Sequence, residues 1–93
     1  MSILSPVDVE RLSVHQKHPF YNAELMRRSI DEQWVVMCDG REIKYVITFD
    51  KRNRFVKYFV TDEGGRTVWD DKGNARHAYA HGEVHVFTNK GAQ

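Results

Sequence analysis

From Gln33 to Asp71 the chain alternates between short runs of β-branched and aromatic residues and tight polar breaks. Residues 33–38 (QWVVMC), 41–50 (REIKYVITFD), 54–61 (RFVKYFVT) and 66–70 (RTVWD) are the runs; Asp39-Gly40, Lys51-Arg52-Asn53 and Glu63-Gly64-Gly65 are the breaks. Runs of this composition bounded by Asn, Asp and Gly are hairpin signals. They predict antiparallel strands joined in chain order, a meander. Residues 75–81, between Asn74 and Gly82, fit either one or two helical turns or irregular coil. Beyond them, Val84, Val86 and Thr88 alternate with His85 and Phe87, which predicts a final strand.

The pattern before Gln33 is helical. Ser5 can cap a helix that opens on Pro6, with Val9 and Leu12 as its apolar stripe. Asn22 can cap a second helix running to about Ile30, with Leu25, Met26 and Ile30 on one face and Phe20-Tyr21 just ahead of the cap. The expected fold is α+β: two short N-terminal helices packed on a four- to five-stranded antiparallel β-meander. Residues 1–93 form a single domain, with 1–32 helical, 33–88 in the sheet and 89–93 a frayed tail. No internal repeat, low-complexity tract or linker is evident.

One feature of the sheet is excessive. In 43–49 the residues Ile43, Tyr45, Ile47 and Phe49 share one face. In 54–60, however, Val56, Tyr58 and Val60 lie on one side and Phe55 and Phe59, with Lys57 between them, on the other. Either side leaves apolar groups on the second face. A curled sheet or a covering C-terminal segment accounts for this; so does a partner or self-association surface, including a homodimer formed through the surplus face.

Composition narrows the choice. A length of 93 residues with formal net charge +1 gives one core and no strong global field. The one cysteine, Cys38, cannot form an internal disulfide and suits a buried strand end. Neither a signal peptide nor a membrane-length apolar run is visible, so the expected location is cytoplasmic, without membrane contact.

Charge is concentrated locally. Arg41, Lys44, Lys51, Arg52, Arg54 and Lys57 cluster on one hairpin against Glu42 and Asp50 alone. Basic residues interleaved with rings, as in Arg54-Phe55-Val56-Lys57-Tyr58-Phe59, are the composition of sheets that stack bases; solvated lysines that guard an edge strand are the plainer account. Asp62-Glu63 and Asp70-Asp71 occupy turns and match no calcium loop. In a meander the 39–40 and 62–65 turns share one end and the 51–54 tip lies at the other. His77, His81 and His85 have spacings that would suit a zinc site on a helix, but Gly82 interrupts it.

These observations favour a non-enzymatic domain that requires no cofactor. It would bind a protein partner through Arg52, Arg54, Phe55, Lys57, Phe59 and Trp69, and inhibit or modulate that partner by occupying its surface. Small stand-alone inhibitors encoded by viruses or mobile elements have this size and build. Two alternatives remain: an RNA- or DNA-binding module using the basic hairpin 41–58, and a small metal- or histidine-dependent enzyme using His77, His81 and His85.

Overall fold

Two four-stranded antiparallel sheets share the core, in place of the single meander expected. The computed structural model describes residues 5–89; Met1–Leu4 and residues 90–93, which hold most of the expected frayed tail, lie outside the described residues. The chain runs through β1 (Ser5–Pro6), β2 (Arg11–Ser13), α1 (Ala23–Asp31), β3 (Trp34–Cys38), β4 (Arg41–Ile43), β5 (Val46–Asp50), β6 (Phe55–Phe59), β7 (His77–His81) and β8 (Val84–Thr88). One sheet has the order β1-β8-β3-β4, the other β2-β5-β6-β7. The chain therefore passes between sheets after β1, β2, β4 and β7, the second passage carrying α1.

The expected first helix is two strands. Ser5 and Pro6 pair with Thr88 and Phe87, and Val7 N–H donates to the Val86 carbonyl at 2.8 Å. A Ser-Pro cap is a local preference, and pairing with the far end of the chain overrides it. Pro6 is tolerated because β1 is an edge strand, where a missing N–H can face outward. The second helix forms as α1, capped by Asn22, whose Oδ1 accepts from Leu25 N–H at 3.0 Å. Leu25 and Met26 pack on the core, whereas Ile30 is exposed rather than part of the apolar stripe.

The expected strand 41–50 is also two strands. At Lys44-Tyr45 it leaves one sheet for the other, and Tyr45 takes φ +60° to make that bend. Its ring, placed by alternation on one face with Ile43, Ile47 and Phe49, is instead exposed while Ile47 and Phe49 are buried. Ile47 is the extra residue of a bulge, since Val46 pairs with Tyr58 and Thr48 with Lys57. Val36, Cys38, Val84 and Val86 from one sheet then meet Leu12, Phe49 and Val56 from the other, with Val7 beside them. Burial there pushes the Cys38 thiol pKa up, with Asp39 adding to the effect and Arg41 opposing it. Among the described residues no helix is long and apolar enough to cross a membrane.

Residues 75–81, ambiguous in the sequence, hold β7, and the expected strand 66–70 is reduced to isolated bridges. Thr61 bridges Thr67, and Trp69 bridges Ala75. Each bridge closes a tight arm with identical bonding. Asp62 Oδ1 accepts from the N–H groups of Gly64 and Arg66, and Asp70 Oδ1 from those of Lys72 and Asn74, all at 2.9 Å. Gly65 and Gly73 both sit at φ +79°, donating to the carbonyls of Asp62 and Asp70. The arms, VTDEGGRT and VWDDKGNA, share Val, Asp and Gly at the first, third and sixth positions and repeat one bonding pattern, a short structural repeat that the sequence reading did not detect. Where they meet the β6–β7 stem, Val68 N–H donates to Val60, Arg76 N–H to Val68, and Val60 N–H to Arg76. Three hairpins are thereby joined by a closed ring of three backbone bonds.

Candidate binding face

Sheet register assigns the faces of β6 and β7. Val56 pairs with Ala80 and Tyr58 with Ala78, while Phe55 pairs with His81, Lys57 with Tyr79 and Phe59 with His77. Val56 is wholly buried, so alternation turns Phe55, Lys57 and Phe59, with His77, Tyr79 and His81, to the outer side. Tyr79 is 52% exposed. Its ring centroid lies 5.9 Å from Phe55 and 6.2 Å from the nearly parallel ring of His81. Lys57 Nζ stands 5.8 Å from the Tyr79 centroid, within cation–π range. Neither 54–60 nor 76–82 contains a carboxylate.

The other half of this outer face is closed. Ser13, Thr48 and Asp50 belong to it by register, yet all are buried. Residues 14–21 return along β2: Tyr21 bridges Ser13 in parallel, and Phe20 lies beneath the Arg11 guanidinium at 4.8 Å. Thr48 Oγ1 donates to Ser13 Oγ at 2.9 Å. The surplus aromatic residues of β6 are accordingly half-buried, on a face covered at β2–β5 and open at β6–β7.

Asp50 anchors the turn that leads into this face. It accepts from Asn53 N–H at 3.0 Å, Asn53 Nδ2 at 2.7 Å and Arg11 Nε at 3.3 Å. Burial alone would raise its pKa, but those bonds and the Arg11 charge outweigh it and hold the carboxyl below its ordinary value. Lys51 turns away from the tip and donates to the Val7 carbonyl at 2.7 Å; burial lowers its pKa, opposed by Asp8 and Glu10. Arg52 and Arg54 stay exposed. The tip does not lie opposite the 39–40 turn, as a meander requires. Gly82 N–H donates to the Arg54 carbonyl at 3.0 Å, while Asp39 N–H donates to Glu83 and Glu83 N–H to Asp39 Oδ1, so the three turns share one end.

Of the residues singled out in the sequence, Phe55, Lys57 and Phe59 share the face, with Arg52 and Arg54 in the adjoining turn. Trp69 stands in the second arm, 64% exposed and outside the ring contacts of the face. His77 and His81 lie on one strand rather than a helix, four residues or roughly 13 Å apart. His85 is on β8 in the other sheet, facing Glu83 at 3.3 Å. The strand thus separates the three histidines instead of gathering them, and among the described residues no cluster of metal-ligating side chains forms. Sequence reasoning missed Tyr79 and its place between His77 and His81. The signal was the alternation His-Ala-Tyr-Ala-His, with small residues inward and rings outward.

Away from this face a concavity of about 320 Å³ opens between α1 and the Lys44–Tyr45 bend, lined by Met26, Trp34, Ile43, Val46 and Phe49. Its charged lining residues, Glu42 and Lys44, are exposed and opposite in sign, which selects no ligand charge. No family model, curated protein or solved structure matches the chain.

Proposed function

We propose that the chain is a non-enzymatic binding domain whose contact surface is the outer face of β6 and β7, acting by occupying a partner. The observation that carries this reading is the exposed Tyr79 ring, set among Phe55, His81 and Lys57 on two strands free of carboxylates. Exposed aromatic groups with adjoining cations are the composition of contact hot spots, and a rigid sheet holds them without ordering cost at binding. Arg52, Arg54, Phe55, Lys57 and Phe59 belong to this surface; Trp69 does not.

The test compares what co-purifies, protein or nucleic acid, with the tagged chain from its own cells. Phe55→Ala with Tyr79→Ala should remove a stoichiometric partner that Trp69→Ala retains. Equal recovery with both variants would sink the assignment of the face.

A further inference from the structure

We infer that the occupant of the β6–β7 face is a single-stranded nucleic acid, its bases stacked on Tyr79 and the neighbouring rings and its phosphates held by Lys57, Arg52 and Arg54. This rests on the reading of that face as the contact surface, and three observations take it further.

The first is charge. With Lys51 turned away to Val7, residues 52–57 carry three cations and no anion; β7 carries no acidic residue, the buried Asp50 beside them is paired with Arg11, and of the carboxylates at the same end Asp39 accepts from Glu83 N–H and Glu83 faces His85. A protein surface of either sign could meet mixed charge; a ring-bearing face with cations alone complements a phosphate backbone. The second is ring placement. Tyr79 and His81 are i, i+2 neighbours on one strand, with nearly parallel planes at 20° and centroids 6.2 Å apart, so they form consecutive stacking platforms. Phe55 lies across from them on β6.

The third observation separates single strand from duplex. A two-stranded ribbon can enter a major groove, but β6 is hydrogen-bonded to β5 on its other side and so is not free-standing. The open part of the face is flanked by the covered β2–β5 half and its rings lie on the surface, where they can stack only on bases that are unpaired. Stacking of this kind tolerates many sequences, because every base has a π-face.

The experiment is fluorescence anisotropy of the full chain with labelled oligothymidylate and oligouridylate of about 12 nucleotides, within the span of known single-strand sites, and with a duplex of equal length. Single strands should bind more tightly than duplex. The slope of log K against log salt should be about −2 for three phosphate contacts, read between about 50 and about 200 mM. Tyr79→Ala should weaken binding about 5- to 150-fold, the range for one lost stacking contact. Lys57→Gln should flatten the slope by about 0.7. Both positions are on the outer face, and unchanged far-ultraviolet circular dichroism would show that the variants fold.

No single-strand binding at low salt, equal or tighter duplex binding, or affinity indifferent to both substitutions would each overturn the inference. If oligonucleotides fail to bind while a protein partner is lost with Phe55→Ala and Tyr79→Ala, the contact face stands and the nucleic-acid occupant falls. If neither is found, both readings fall together.

Discussion

Replacing Gly82 with Ala tests how the shared end of the three turns is held together. Gly82 has φ +152°, in a region that residues with a side chain rarely adopt, which costs about 1–3 kcal/mol. A Cβ there would also collide with the Asp39 carboxylate, at Oδ2 and Cγ. Asp39 can withdraw only by giving up the bond its Oδ1 accepts from Glu83 N–H, worth about 1 kcal/mol and more for a charged acceptor. The two effects sum to about 2–5 kcal/mol, a large share of the roughly 5–14 kcal/mol expected of a small domain. Urea unfolding followed by Trp34 and Trp69 fluorescence would show a lower midpoint at unchanged slope. The same substitution in an Asp39→Ala background should cost only the backbone part, so the double-mutant cycle must show coupling. A loss below about 1 kcal/mol, or strict additivity, would refute the argument.

Two further outcomes follow from buried groups. Asp50 is held below its ordinary pKa, so its contribution to stability is complete above the unfolded value near 3.9 and is lost as pH falls through the lower folded value. Urea midpoints measured across that range should fall more steeply for the wild type than for Asp50→Asn, and parallel curves would contradict the network. Val56, wholly buried between the sheets, should cost about 2–3 kcal/mol as Val56→Ala, from two lost methyl groups and the cavity they leave; a change under 1 kcal/mol in calorimetry would show that the core collapses around it.

How much the sequence disclosed depended on the range of the deciding contact. The α1 cap is a contact between Asn22 and Leu25, and it was legible. The inward row Val84 and Val86 was legible because alternation is intrinsic to a strand. Ser5-Pro6 misled because its partners, Thr88 and Phe87, are at the opposite end of the chain. Tyr45 misled because nothing in an aromatic residue announces a φ of +60°, and that bend divides one apparent strand between two sheets. Gly82 read as a helix stop, although its role is close approach to Asp39. At the site, the β6 half of the face was legible from Phe55, Lys57 and Phe59. The β7 half was hidden because histidines four apart suggested a helix face rather than alternate positions of a strand.

The ring at Val60, Val68 and Arg76 implies a rule for how this chain can change length. In an ordinary antiparallel pair, two residues exchange N–H and C=O bonds, which is a ring of two members. Each eight-residue arm adds one member and returns the backbone to its starting point, which places β6 and β7 opposite each other however the count stands. Growth or loss by a whole arm is therefore silent in the sheet, whereas a change of one residue would shift the stem. A chain lacking residues 60–67 should keep the β6–β7 pairing, readable as protection of the Val56 and Tyr58 amides, which face β7, from hydrogen exchange. The region farthest from regular secondary structure is, in this sense, the part of the molecule built in interchangeable units.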